Sequence, residues 1–357
     1  MKSVNELFSQ MIERRSSHFH LVPGSPIMMK QSGASLSPVD SHVLSPSDTA
    51  RIANSLLSDK QKRIFEERLE VDFSYSIPGL SRFRINVFRQ RGSIAMVVAT
   101  NPPSPPTVEE LGLPESIKNI ITKAKSGLIV ICGPKSSGKS NTLAAILNFI
   151  LETRNIQVVT FENPIDFLHK NKRGIICQRE KGTDFYTYEN AFNSLQHQSC
   201  DALVVTEFEE YFVAQKVLNL AAGGNLVLIT AQAPGVSVMI DKIITMFPPH
   251  LRKQALSLLS VGVNAIIAQT LCNKAAGGGL IPSFEIMTNA PQLRIYIRDD
   301  KLIQVHPFMG AHGREYGMST QEQGLRQMVK KNLITKEEAM SHAVRPEEFK
   351  KVMMLPY

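Results

Sequence analysis

The chain has no tryptophan and only seven tyrosines in 357 residues. Single-stranded nucleic acid is held largely by stacking on aromatic faces. A DNA- or RNA-binding platform is therefore not expected, despite a net charge of +8. The basic residues are scattered, with Lys60–Arg63 and Lys170–Arg173 as the only short clusters. Cysteine is scarce too. Residues 132, 177, 200 and 272 include no C-x-x-C pair, which argues against the usual structural zinc ribbon. Such isolated thiols fit a reducing compartment. Also missing is any apolar run of the roughly 20 residues that a bilayer span needs. The start, Met1-Lys-Ser-Val-Asn-Glu-Leu-Phe8, has no secretory core. A cytoplasmic protein is expected, whose membrane role, if any, runs through partners.

What is present is a phosphate loop. Gly133-Pro134-Lys135-Ser136-Ser137-Gly138-Lys139-Ser140 fits G-x-x-x-x-G-K-[ST] at every fixed position. The run Gly127–Cys132 before it reads as a buried strand, and Asn141–Leu151 after it has helical composition. In that context the loop and helix N–H groups point at phosphates. Lys139 is expected on the β/γ-phosphates, and the Ser140 hydroxyl on Mg²⁺. ATP and Mg²⁺ are the expected cofactors, with Gly133 through Asn141 as their binding residues.

The rest of the chain suits two domains. In residues 1–100, Val71–Ser76 and Arg82–Phe88 alternate with period 2, and Ser93–Thr100 is β-rich. Residues 3–15 read as an amphipathic helix, and Ser45-Pro-Ser-Asp48 opens another. A small α/β domain with an antiparallel sheet is expected there. Asn101-Pro-Pro-Ser-Pro-Pro106 makes a semi-rigid linker. In residues 107–357 apolar strands alternate with helices. Gln157–Glu162, Ala202–Glu207 and Leu226–Gln232 each end in a polar residue. Such strands belong to a mainly parallel sheet, and ligands gather beyond their carboxyl ends. Glu162, Glu207 and Gln232 are thus expected to face the phosphate loop. A tail of two or three helices follows, opened by Ser319 or Thr320.

Several stretches resemble one family, the secretion ATPases of type II and type IV pilus systems, and within it the PilT/PilU-type retraction motors. In the first domain these are Ser17–Leu21, Phe83–Phe88 and Arg89–Ile94. In the second they are Phe161–Asp166, Gln178–Glu180, Thr206-Glu207, Ile240–Pro248, Gln269–Leu271, Phe284–Met287, Leu293–Arg298 and Gly317–Thr320. The resemblance implies a PAS-like first domain, a RecA-like second one, and a homo-hexamer or a hetero-assembly with a paralogous retraction ATPase. It implies an inner-membrane pilus platform protein as partner. ATP would lie between the domains, with Arg82, Arg84, Arg89 and Arg91 as candidate arginines reaching it. Glu162 and Asp166 would come from the acidic box, Gln232 from the γ-phosphate box, and Glu207 would contact Mg²⁺ through water.

The family pattern is altered around the γ-phosphate. The acidic box, usually Glu-Asp-Pro-Ile-Glu, reads Glu162-Asn163-Pro164-Ile165-Asp166. Glu209 stands where an arginine is usual, Gln232 where a histidine is, and Ala99 where another arginine is. An amide cannot take a proton from water. An arginine serving the transition state can be worth roughly 10³–10⁵ in rate. Nucleotide binding with weak hydrolysis is expected, or an accessory paralogue working beside a competent motor.

Overall fold

The computed structural model describes residues 4–354 except 15, 32–34, 78–79, 101–103 and 207. The chain divides into two compact units, one of Met1–Ser104 with Asp166–Leu168, the other of Pro105–Ile165 and His169–Tyr357. Half of the proline-rich stretch, residues 101–103, lies outside the described residues.

In the first unit, α1 (Val4–Glu13), β1 (Ser16–Leu21), β2 (Pro26–Gln31) and β3 (Ser37–Val43) precede α2 (Pro46–Leu56) and α3 (Asp59–Arg68). Then come β4 (Glu70–Ile77), β5 (Ser81–Gln90) and β6 (Ser93–Thr100). The strands form one sheet in the order β3-β2-β1-β6-β5-β4, every pairing antiparallel. Pattern reading marks only the last three strands. In β1 the polar His18 and His20 alternate with the buried Phe19 and Leu21, which hides the strand in so short a stretch. On β5, Phe83, Ile85 and Val87 point into the core with Phe8, Met11 and Ile52. Ser45 caps α2 through a reciprocal box with Asp48, as its sequence indicates.

The second unit is built on β7 (Gly127–Gly133), all of whose residues are buried. Before it lies α4 (Glu115–Lys123). After it come α5 (Lys139–Thr153), β8 (Gln157–Glu162), β9 (Ile175–Glu180), α6 (Tyr188–Leu195), β10 (Ala202–Val205), α7 (Tyr211–Ala222) and β11 (Leu226–Gln232). The remainder is α8 (Val236–Thr245), α9 (Arg252–Gly262), β12 (Val263–Asn273), β13 (Leu280–Thr288), α10 (Pro291–Arg298), α11 (Val305–Tyr316), α12 (Gln321–Lys330), α13 (Lys336–His342) and α14 (Pro346–Met354). The sheet order is β13-β12-β7-β11-β10-β8-β9, parallel except for β13.

Alternation along β7 explains why both faces are covered. Leu128, Val130 and Cys132 pack with α6 to α11, while Ile129 and Ile131 pack with α4 and α5. Thr320, rather than Ser319, caps α12. The helical tail docks on the β12–β13 hairpin, where Cys272, Leu325, Met328, Ile334, Ala339 and Phe349 form a separate small core.

Beside that tail lies a buried polar cluster. The Glu285 carboxylate accepts from the Val236 N–H at 2.8 Å, at the start of α8. Burial, the largest effect, pushes Glu285 above the usual carboxylate range, and the charge of Glu322 adds to this. The Val236 bond, His306 and Arg345 oppose it. A folded-state pKa above the unfolded one means the folded protein holds the proton more tightly. Stability is then lost as pH rises from the unfolded value of about 4.5 through the folded pKa. Glu285→Gln keeps an acceptor and removes the ionisation. In urea melts across pH 4–8, the stability of wild type minus variant should fall with rising pH; a flat difference would contradict the burial argument.

Candidate functional site

Two glycine-dependent approaches shape the phosphate loop, and a third sits where its strand begins. Gly133 has φ +157°, and a Cβ there would lie 2.2 Å from the Gln269 backbone oxygen and 2.4 Å from Ser137 Oγ. Gly138, at φ +85°, caps α5, and its Cβ would lie 2.8 Å from Gln269 Nε2. The backbone contact at Gly133 is too close for any side chain, and the positive φ at Gly138 favours glycine. At Gly127, where β7 begins, a Cβ would come within 2.9 Å of the Gly262 oxygen. Between the first two glycines, Ser136 adopts φ +61°. Pro134, Lys135 and Ser136 are exposed, whereas Ser137 is buried.

Gln269, on β12, thus forms the floor of the loop. Its side chain also accepts from Thr142 Oγ1 at 2.5 Å, on the first turn of α5. Strand, loop and helix are thereby held by one buried amide. Pattern reading did not single out Gln269 as a site residue. The signal available was its position near the carboxyl end of an apolar strand.

Lys139 opens α5 and turns back over the loop. Its Nζ donates to the Gly133 oxygen at 3.1 Å and the Pro134 oxygen at 2.6 Å. Burial holds its ammonium below the ordinary lysine range, and the nearby Cys132 partly opposes this. A partly desolvated cation satisfied by loop carbonyls is suited to exchange them for phosphate oxygens. Ser140 and Asn141 follow it on the exposed side of the first turn.

The carboxyl ends of β7, β11, β10 and β8 lie side by side in that order. Gln232 pairs directly with Gly133 and is exposed. Thr230 Oγ1 donates to the Thr206 oxygen at 2.9 Å, and the Asn163 N–H donates to Thr206 Oγ1 at 3.1 Å. These bonds lace the strand ends together. Glu207 lies outside the described residues. Glu162 is buried, and its Oε1 accepts from Thr160 Oγ1 at 2.7 Å and Gln178 Nε2 at 2.9 Å. Asn163 and Glu209 are exposed, and Asp166 is half-buried.

Lys242 is a second ammonium at this edge. It donates to the Gln232 oxygen at 3.2 Å from α8. Nothing in its sequence surroundings marks it, because a lysine on a helix usually serves solvent.

The four candidate arginines of the first unit, Arg82, Arg84, Arg89 and Arg91, do not form one cluster. Arg82 and Arg84 share the face of β5 opposite the core. Arg84 pairs with Asp72 at 3.2 Å and lies opposite Ala99 on β6. Arg89 donates to the Gly92 oxygen at 3.1 Å and sits over the Phe65 ring. Arg91, at φ +49°, is in the hairpin turn.

A family model described as type II/IV secretion system protein matches residues 2–338. The chain belongs to that family. The type IV pilus retraction ATPase PilT of Pseudomonas aeruginosa is 33% identical over 346 residues, covering 97% of this chain and 99% of that protein. The type IV pilus ATPase PilU of the same organism is 31% identical over 338 residues, covering 95% and 88%. The crystal structure of the pilus retraction motor PilT with bound ADP matches with a TM-score of 0.90 at 32% identity, covering 98% of this chain and 100% of that one. The likeness to the pilus retraction ATPases therefore spans both units. It supports the PAS-like plus RecA-like α/β reading.

The glycine contacts generate a test. Gly133→Ala should lower ATP affinity by about tenfold or more, because the added methyl must displace the loop from Gln269. Gly24→Ala adds a Cβ at φ +83° with nothing within 4 Å, so it should cost about 1 kcal/mol of stability and leave affinity unchanged. Calorimetry with Mg²⁺ separates the two; equal affinity in wild type and Gly133→Ala would refute the contact.

Proposed function

We propose that this member of the retraction ATPase family is a ring-forming protein that binds Mg²⁺–ATP well and hydrolyses it weakly. One observation carries the reading. A complete phosphate loop at the end of β7 has the amide of Gln232 as its immediate neighbour on β11, with Asn163 at the end of β8.

In this reading Lys139 and the loop N–H groups would hold the β- and γ-phosphates, and Ser140, with Glu207 through water, would hold Mg²⁺, which would supply charge neutralisation there. Gln232 donates a hydrogen bond near the γ-phosphate, which an amide can still do. Glu162 stays buried and orients the acidic box, while Asn163 cannot serve as a base. The altered positions remove cations and acid–base groups from a reaction that depends on positioned charge. A ring is part of this reading because closed assembly satisfies head-to-tail sharing of groups between copies without open polymers. Among the described residues no helix is long and apolar enough to cross a membrane. Membrane work would pass through a pilus platform protein.

A second reading is an accessory paralogue whose assembly and turnover depend on a competent motor. The exposed Glu209 favours it, because a carboxylate there repels phosphate where the family carries an arginine. ATPase assays on the protein alone and mixed with a competent retraction motor distinguish the two. A ring by light scattering with an ATP analogue, together with slow turnover alone, fits the first reading. Assembly only with the other motor fits the second. A monomer under every condition, unaffected by the motor, would contradict both.

Groups that act as a unit are non-additive. Gln232→His alone should therefore recover little turnover. Asn163→Asp, Asp166→Glu, Glu209→Arg and Gln232→His together should recover at least about tenfold, with Ala99→Arg as a further gain. No gain from the combined variant, folded and binding ATP normally, would remove the altered positions as the cause.

A further inference from the structure

We propose that Cys272, Glu338 and His342 form a binding site for a thiophilic divalent metal ion of the zinc class. Their ligand atoms, one from each residue, all lie within 4.8 Å of one another. Cys272 is on β12 and fully buried. Glu338 and His342 are one helical turn apart on α13, so they present their side chains on one face. The convergence of a strand and a helix is invisible to cysteine spacing, because the nearest of the other two ligands is 66 positions downstream in the sequence.

The donor set argues for the class of metal. A thiol, an imidazole and a carboxylate form a mixed S/N/O set that suits zinc-like ions, whereas magnesium and calcium take oxygen. Three protein ligands leave the fourth tetrahedral position for water. The orienting bonds exist as well. Glu338 Oε1 accepts from the Asn273 N–H at 2.6 Å and from Asn273 Nδ2 at 3.0 Å, and its 3.0 Å contact with His342 Nε2 is one that a bound ion would replace. The Asn273 bonds fix the carboxylate against the strand that carries Cys272.

The other group of possible ligands among the described residues is His306, Glu322 and Glu348. There both imidazole nitrogens already face carboxylates, at 3.2 and 3.4 Å, and Arg345 stands 4.0 Å from Glu322. That group has an arginine as its cation and offers no thiol.

Bound metal would tie α13 to the end of β12, three residues beyond Gln269. It would fasten the helical tail to the strand that floors the phosphate loop, and ligand binding to the folded state would stabilise that tail.

The test is titration of the full, reduced chain with cobalt(II), read by absorbance. One equivalent should bind with a thiolate-to-metal band in the near ultraviolet, and zinc(II) should displace it. Cys272→Ser should abolish the band. His342→Ala should weaken affinity by about tenfold or more, and Cys177→Ser should change nothing. Should Cys272→Ser fail to fold, His342→Ala on the more exposed side decides. No thiolate band, a band that survives Cys272→Ser, or undiminished affinity in His342→Ala would overturn the site.

Discussion

The second domain depends on the missing side chains at Gly133 and Gly138. With no Cβ at Gly133, the β7–α5 loop settles directly onto the Gln269 backbone, and Gly138 takes the positive φ that favours glycine. That contact fixes the loop's curvature, and the curvature aims its N–H groups. Everything else at the site is arranged relative to it. The Thr142–Gln269 bond locks the helix to the strand, Lys139 folds back over the resulting cup, and the Gly133–Gln232 pairing sets which residue of β11 stands beside it. An unsatisfied buried amide would cost roughly 1–3 kcal/mol, so Gln269 is held in place as firmly as it holds the loop.

Around this rigid cup the chemistry is uneven. The groups suited to bind phosphate are present and supported from beneath. Those expected to move a proton or to stabilise developing charge are changed to amides, to a shorter carboxylate, or to groups of the wrong sign. Lys242 keeps a cation close to Gln232, which argues for weak rather than absent turnover. The loop after β11 is anchored in turn. Gly235 has no room for a Cβ because the Glu285 carboxylate lies 2.8 Å from that position, and the same carboxylate caps α8. Glu285 feels His306 of α11, and Glu322 and Arg345 of the helical tail. A buried carboxyl of this kind links the residues after β11 to the elements packed around it through hydrogen bonding and electrostatics, where apolar packing would have been indifferent to either.

Much of the fold was legible because its signals are local. The phosphate loop is contiguous, the strands β7, β8, β10 and β11 are apolar runs, and the caps at Ser45 and Thr320 use ordinary capping chemistry. The remainder required three dimensions. Strands β1 to β3 are short, and β1 offers only Phe19 and Leu21 as apolar positions from which a period could be read. Gln269, Lys242 and Glu285 act across elements separated by many residues, and no pattern within a window reveals such pairs. Arg82, Arg84, Arg89 and Arg91 look like one basic group in sequence. The strand's two-residue period and the hairpin turn send them to different places, and Arg89 serves the hairpin itself.

The central claim is that binding and turnover are separated in this protein. A single-turnover experiment tests it directly, with radiolabelled ATP pre-bound to the full chain in Mg²⁺ and bound product measured over time beside a competent retraction ATPase. The account predicts that most bound ATP is recovered intact over the period in which the competent enzyme converts its own. Conversion at the competent enzyme's rate, abolished by Lys139→Ala, would contradict it.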